Sequence, residues 1–396
     1  MPLNSDRSKR LDFAVQQSSA ASEMGKQPVV IGGIKEMLSV YKLSTDLLAF
    51  NIRNGRFVAE LEAREKQLGR RLDPLVAEDQ QMIRNLLIEL DPAATEALKR
   101  DLKSVGQTSP GIITHDGYVI NGNRRMAILQ ILHNDEPTGK FQYLEVHRLP
   151  PDVGEKDLWR IEAGLQLSRD SRLEYGPVND LLKIRQGINA GLTYDEIAAT
   201  LYGITGPEEV QEKDKRLVLI ESYLEYIGDP RSHNRVKGFV EHFINLQDFL
   251  KWLDKQSVKA TERQKWLLRA FELIRAGVPH MEIRRLRAVA LSEAAKKHFL
   301  ASIQPKEGAR TQEQEQKTRE NVTSEFDIVK DYVELDEQAK KPEQLLNKAI
   351  RALETLLNHK SDIAANADLH DGIASIQKMA GELTAACSKK IARKRS

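Results

Sequence analysis

The residues best suited to chemistry in this chain are Gly122-Asn123-Arg124-Arg125. They follow a β-prone Tyr118-Val119-Ile120, and behind them Met126, Ile128, Leu129 and Leu132 open an apolar helical pattern. A strand therefore enters a helix through a Gly/Asn turn, with two arginines in the first helical turn. Free backbone N–H groups, the positive end of the helix dipole and two forked guanidinium donors converge there, which suits an anion such as phosphate. Just upstream, His115 and Asp116 stand side by side. Such a pair can assist a metal or a phosphoryl reaction, or it can be a turn residue beside a capping residue. No Walker A sequence, dinucleotide glycine motif, H-E-x-x-H spacing or serine nucleophile elbow is present, and the dispersed histidines define no metal ligand set.

The elements that must hold these residues are legible around them. Asp116-Gly117 between Gly111–Thr114 and Tyr118–Ile120 predicts a hairpin. Gln142–Leu149 alternates as a further strand, closed by Pro150-Pro151. Phe57–Gly69, Glu78–Leu90 and Thr95–Val105 carry helical patterns, the second stopped by Asp91-Pro92 and the third by Gly106. Few strands and many helices predict an α+β fold, a small mixed sheet covered by helices. Val29–Asn51 is the first piece expected to be ordered, with Ser44-Thr45-Asp46 as a cap cluster for a short helix.

This arrangement resembles the N-terminal domain of the ParB/sulfiredoxin superfamily. The family's second box, G-x-R-R-x-x-A after a strand and a D-G turn, is matched by Gly122, Arg124, Arg125 and, one position early, Ala127. Gly106-Gln107-Thr108-Ser109-Pro110 resembles its G-x-x-x-P segment. Phe50–Arg56 resembles its Asn- and Arg-bearing segment, which makes Arg53 and Arg56 candidates for the same pocket, or a solvated turn. The third box, an E-N-x-x-R helix, is approached by Ile161-Glu162 and Leu165-Gln166, with Ala163 at the Asn position. The resemblance implies a nucleotide or phosphate site at Gly106, Gln107, Gly122, Asn123, Arg124 and Arg125, with Arg169 (and Arg172) as further phosphate contacts. A nucleoside triphosphate, CTP or ATP, with Mg2+ would be the cofactor. Asp116 and Glu162 are the carboxylates available for hydrolysis. Sulfiredoxins use a reactive cysteine in the corresponding loop; here the one cysteine is Cys387, far away in sequence, which excludes both thiol chemistry there and a disulfide framework.

Pro177–Ala190 is followed by Gly191–Gly203, in which Thr193 and Glu196 form a capping box. The L-T-x-x-E-I-A-x-x-L pattern resembles the first helix of a helix-turn-helix unit, spanning about residues 192–226, with a second helix from Pro207 to Tyr226. Lys213, Lys215 and Arg216 on that helix, and Arg231, Arg235 and Lys237 in the basic loop beyond it, are the candidate DNA contacts. Glu208, Glu209, Glu212 and Asp214 make the same helix acidic at its start, so packing alone is the competing reading. Three further helices are expected at Phe239–Lys255, Thr261–Ala276 and Met281–Phe299.

Across 396 residues, 40% hydrophobic and 30% charged, the expected organisation is several domains. These are a disordered arm at 1–28, a ParB/Srx-like domain at 29–150, a helical domain at 151–300, a linker at 301–321, and a helical hairpin with a basic tail at 322–396. The leucine and isoleucine stripes of that hairpin suit pairing between two chains. No stretch reaches the roughly 18 apolar residues of a membrane span, and no signal-peptide core is visible, so a cytoplasmic protein is expected. A net charge of +2 provides no global pull toward nucleic acid, which leaves DNA binding to local patches. The functional expectation is a ParB-like DNA-binding homodimer with a nucleotide-binding N-terminal domain. The alternatives are a nucleotide-hydrolysing or DNA-cleaving enzyme, and a protein-interaction module with an empty pocket.

Overall fold

The structure is a computed structural model that describes residues 4–18, 24–53, 55, 57–166, 176–201, 203–339, 342–360, 363 and 369–395, without the side chains of 165, 166, 338, 339, 344 and 387–395. The chain is mixed α+β and forms two compact units, Met1–Leu286 with Gln304–Thr323, and Arg287–Ile303 with Ser324–Ser396.

The first unit opens with α1 (Ser5–Gln17), where the sequence suggested a disordered arm. Asn4 caps it by accepting the Arg7 N–H at 3.2 Å, and Leu11, Ala14 and Val15 form a short apolar stripe on the core. The stripe is too brief to stand out by periodicity, yet its burial fixes the helix. β1 (Lys26–Ile31) and β2 (Ile34–Ser44) then form an antiparallel hairpin around Gly32-Gly33, both at positive φ. A single 3-10 turn at Thr45–Leu47 leads to the two-residue β3 (Ala49–Phe50).

Three helices follow, α2 (Val58–Leu68), α3 (Ala77–Glu89) and α4 (Pro92–Ser104). Next come β4 (Gly111–Ile113), β5 (Tyr118–Asn121), α5 (Asn123–Asp135) and β6 (Tyr143–Arg148). The six strands lie in the order β1-β2-β6-β4-β5-β3, with β4 parallel to β6 and β3 parallel to β5. The period-2 alternation of a strand separates its two faces. Ile113 and Val119 join the core beneath α2 to α5, whereas Ile112 and Ile120 join Val29, Leu149 and Ile161 on the other face.

α6 (Glu155–Gln166) covers that second face. Ile161 packs on the sheet while Trp159 and Ala163 belong to a core with Ile184, Leu192, Ile197, Leu201 and Val210. One helix thus serves both cores, and residues 29–150 and 151–286 fall in one compact unit. The remaining helices of this unit are α7 (Pro177–Asn189), α8 (Tyr194–Thr200), α9 (Pro207–Tyr226), α10 (Val240–Lys255), α11 (Ala260–Arg275) and α12 (His280–Ile283).

The helix expected at Met281–Phe299 is broken into α12, α13 (Leu286–Leu291) and α14 (Glu293–Ser302). Ser292 ends the pattern by acting as a cap, its Oγ accepting the Ala295 N–H at 3.2 Å. Of the expected linker at 301–321, residues 304–321 belong to the first unit, where Gly308 N–H donates to the Tyr226 carbonyl at 2.8 Å and Arg310 pairs with buried Glu272.

In the second unit α14 packs on α15 (Gln312–Ala339), whose first part, residues 312–323, belongs to the first unit. Phe299 meets Phe326 edge-on at 6.1 Å, and His298 contacts Glu325 at 3.0 Å. α16 (Pro342–Asn358) and α17 (His370–Arg395) follow; Leu346, Ile350, Leu353, Leu357, Ile373 and Leu383 on them are exposed. The side chains of the basic tail, like that of Cys387, lie outside the described residues. No described helix is long and apolar enough to cross a membrane.

Candidate functional site

The hairpin that carries His115 and Asp116 closes as expected. Thr114 N–H donates to the Tyr118 carbonyl at 2.9 Å, and Gly117 takes φ 87°. A side chain at Gly117 would stand 2.7 Å from Leu11 Cδ1, so glycine admits α1 here. Arg7 of α1 donates Nε to the Asp116 carbonyl at 2.9 Å and Nη2 to the Leu47 carbonyl at 3.0 Å. The Asp116 carboxylate accepts the Thr114 hydroxyl at 2.6 Å and the Asn4 N–H at 3.1 Å. It is 4% exposed, anchors the turn and the start of α1, and with His115 lines the same cavity as Glu162. His115 lies beside it, its carbonyl accepting Arg148 Nε at 2.8 Å.

After β5 the chain turns through Gly122 at φ 107°, a conformation that favours glycine, and α5 begins at Asn123. The backbone is crowded at this corner: a Cβ on Gly111 would meet the Asn121 carbonyl oxygen at 2.6 Å. Asn123 is buried, donating Nδ2 to the Val119 carbonyl at 2.6 Å and accepting the Asn51 N–H on Oδ1 at 3.0 Å. Arg124 is half-buried on the first helical turn. Arg125 grips Ser109, with Nη1 on its carbonyl and Nη2 on its hydroxyl, and burial lowers the pKa of its guanidinium.

Gly106 ends α4 at φ 82°. Gln107 is committed to β6, with Nε2 on the Tyr143 carbonyl and Oε1 accepting the Glu145 N–H, each at 3.0 Å. Among the expected phosphate contacts, Gln107, Asn123 and Arg125 therefore hold the loop and helix start in shape. Arg169 and Arg172 lie outside the described residues, as does Arg56.

Asn51 leads from this corner to Glu162. Its Nδ2 lies 3.5 Å from Glu162 Oε2, and the Gly55 N–H donates to Glu162 Oε1 at 3.1 Å. Lys183 of α7 completes the cluster at 2.9 Å from Glu162 Oε2. The lysine is fully buried, its ammonium pushed down by desolvation and partly restored by the Glu162 charge. Its own carbonyl accepts the Trp159 indole N–H at 2.9 Å, and its ammonium sits 5.7 Å from that ring.

These groups border a cavity of about 490 Å³, with Ile120, Leu149, Leu158 and Trp159 as apolar wall and Asn51, Arg53, Glu162 and Lys183 as polar groups. That size and mixture suit a small organic ligand. Sequence reasoning missed Asn51 and Lys183. A lysine between Leu182 and Ile184 on an apolar helix face was the available signal, because a buried ammonium needs a carboxylate.

Glu162, which lines this cavity, is held by a backbone N–H and a buried ammonium. Ala163 is fully buried in an apolar core. Among the described residues no group of three or more His, Cys, Asp or Glu could hold a metal ion. Lys183 against Glu162 also opposes a dication there. The residues do not fit a protein-held Mg2+ site.

The helix-turn-helix expectation falls on α8 and α9. The Thr193–Glu196 capping box is made, with Thr193 N–H donating to Glu196 at 2.8 Å, and Ile197, Leu201 and Val210 are buried between the helices. Five of the six cations expected on DNA are engaged within the chain. Lys213 pairs with Glu209 at 3.3 Å, Lys215 with Glu212 at 3.5 Å and Arg235 with Asp229 at 2.6 Å, and Lys237 pairs with Glu60. Arg216 donates Nε to Gln247 at 3.1 Å. Arg231 is exposed, at φ 65°. No protein family, no curated protein and no solved structure matches the chain.

Proposed function

We propose that this chain is a ParB-like DNA-associated protein whose α+β part binds a nucleotide or another phosphate at Gly122–Arg125. The observation that carries this reading is the hydrogen-bonded meeting of Asn51, Asn123 and Glu162. They come from three of the four segments on which the family resemblance rests, and they are separated in sequence by intervals of 72 and 111 residues from Asn51. A rigid frame behind a helix start, with Arg124 on its first turn, suits a phosphate. CTP or ATP is the proposed ligand, any Mg2+ arriving with its phosphates rather than in a protein cage. Two copies pair through α16 and α17, and α8–α9 with Arg231 approaches DNA.

Calorimetry of the full chain with CTP, ATP and GTP, with and without duplex DNA, tests this. Binding of one nucleotide, lost on Arg124→Ala, is the expected result. No binding of any nucleotide, together with unchanged DNA affinity in Arg124→Ala, removes the reading at its centre.

The ion pairing of Lys213, Lys215 and Arg235 favours a second reading, an interaction module that does not contact DNA. Exposed pairs of this kind are worth about 0–1 kcal/mol and exchange readily for phosphate. Salt dependence discriminates: phosphate contacts weaken steeply with added salt, whereas protein packing does not. The enzyme reading is the weakest, since both candidate carboxylates are occupied.

A further inference from the structure

A second cleft, of about 570 Å³, lies within the first unit between the end of α9, the loop after it, α11 and residues 309–319. Four arginines line it: Arg235, Arg275, Arg310 and Arg319. Their engagement differs. Arg275 is 4% exposed at its side chain and pairs with Glu315 through Nε at 2.9 Å and Nη2 at 2.6 Å, while Nη1 donates to the Gly308 carbonyl at 3.0 Å. Arg310, 3% exposed, holds Glu272 at 2.8 and 3.1 Å, and its Nε has no hydrogen-bond partner among the described residues. Arg235 shares Asp229 with Lys66. Arg319 makes no ion pair among the described residues and lies against Gly277, where a Cβ would stand 2.9 Å from its Nη2.

Among the lining residues four arginines face two carboxylates, Asp229 and Glu315, an excess of two positive charges; Lys66 and Glu272, one charge of each sign, pair with them from outside the lining. The carboxylates hold Arg275 and Arg310 in the wall and Asp229 holds Arg235 at its edge, which reduces the entropy that a wholly flexible basic patch would lose on binding, while Arg319 is exposed. Planar guanidinium forks at a partly enclosed cleft with a charge excess of two match a dianionic phosphoryl group in geometry and charge. We propose that this cleft is an anion site for a phosphoryl group, free on a small molecule or carried in a DNA backbone. Arg235 and Arg319 make the contacts, and Arg275 and Arg310 supply the field. The site is distinct from Gly122–Arg125 and does not depend on that reading.

The test is calorimetry of the full chain with inorganic pyrophosphate at low salt. Arg319→Ala and Arg235→Ala are each expected to weaken binding by about tenfold, the loss of one charge-assisted hydrogen bond. Arg124→Ala, in the other site, is expected to leave this binding in place, so the two proposals fail separately. Displacement of pyrophosphate by a short duplex assigns the phosphoryl group to DNA; retention assigns it to a free phosphorylated molecule. No binding by the wild-type chain, or equal binding by the Arg235→Ala/Arg319→Ala double variant, overturns the proposal.

Discussion

Asn123 accepts the backbone N–H of Asn51 on Oδ1 at 3.0 Å while donating Nδ2 to the Val119 carbonyl at 2.6 Å. One buried amide therefore ties the start of α5 to the end of β3 and to β5. Asn123→Ala leaves a buried donor and a buried acceptor without partners. The expected loss is about 1–3 kcal/mol, read from the urea midpoint with an unchanged slope. An unshifted midpoint would show that the bond contributes nothing in solution.

The approach of α7 to α6 sets up a second prediction. A Cβ on Gly187 would lie 2.8 and 2.9 Å from the Trp159 ring and 3.2 Å from Ile197. Alanine gains about 0.5–1 kcal/mol of helix propensity over glycine. Overpacking a filled core costs about 1–3 kcal/mol, so the steric effect wins and Gly187→Ala destabilises. Trp159 borders the cavity, so its fluorescence should shift with the loss of stability. A more stable protein with unchanged emission would mean that the helices separate at no cost.

Much of the α+β core around Gly122 was legible. Asp116-Gly117 and the alternation through β4 and β5 are local signals, and Gly122 marks the corner where φ turns positive. The β1–β2 hairpin was written only in Gly32-Gly33 between Ile31 and Ile34, and its polar, charged strands hid the pattern. α1 escaped because one short stripe around Leu11 suffices once a sheet is there to cover it. The Glu162–Lys183 pair joins two helices, and no periodicity within either one reports such a pairing. The 304–323 segment reads as a linker by composition, yet the burial of Arg310 on Glu272 decides its place.

Acid stability should depend on Asp79. Arg70 donates Nη2 to its Oδ1 at 2.6 Å and Nη1 to its Oδ2 at 2.7 Å, and the Asp73 N–H adds 2.8 Å on Oδ2. The guanidinium, and then the Asp73 amide, lower the carboxyl from an ordinary 3.8 to about 2. A depressed folded-state value contributes stability above the unfolded value and loses it as pH falls through the folded one. The wild-type chain should therefore lose stability between pH 3.8 and 2 more steeply than Asp79→Asn, the two curves converging near the lower limit. Parallel urea midpoints across that window would remove Asp79 as a source of acid sensitivity.

The last prediction concerns the second unit. Leu353 of α16 and Ile373 of α17 border one apolar groove, and both remain exposed, with Leu357 beside them at 68%. Full burial of each such side chain is worth about 1.5–3 kcal/mol. With 38–68% of each side chain still exposed, roughly half of that is left to gain per residue, so the apolar residues of two symmetric faces together reach the order of the ~8 kcal/mol of a micromolar complex. Under the homodimer proposal, Leu353→Asp with Ile373→Asp places charges on both sides of the covered groove and converts the dimer to a monomer in sedimentation. Leu353 and Ile373 are 38% and 41% exposed and so also pack within one chain; helix content recorded on the same variant separates loss of the dimer from loss of the hairpin. A wild-type chain that sediments as a monomer at ~100 µM, well above the micromolar range of such an interface, would end the dimer proposal.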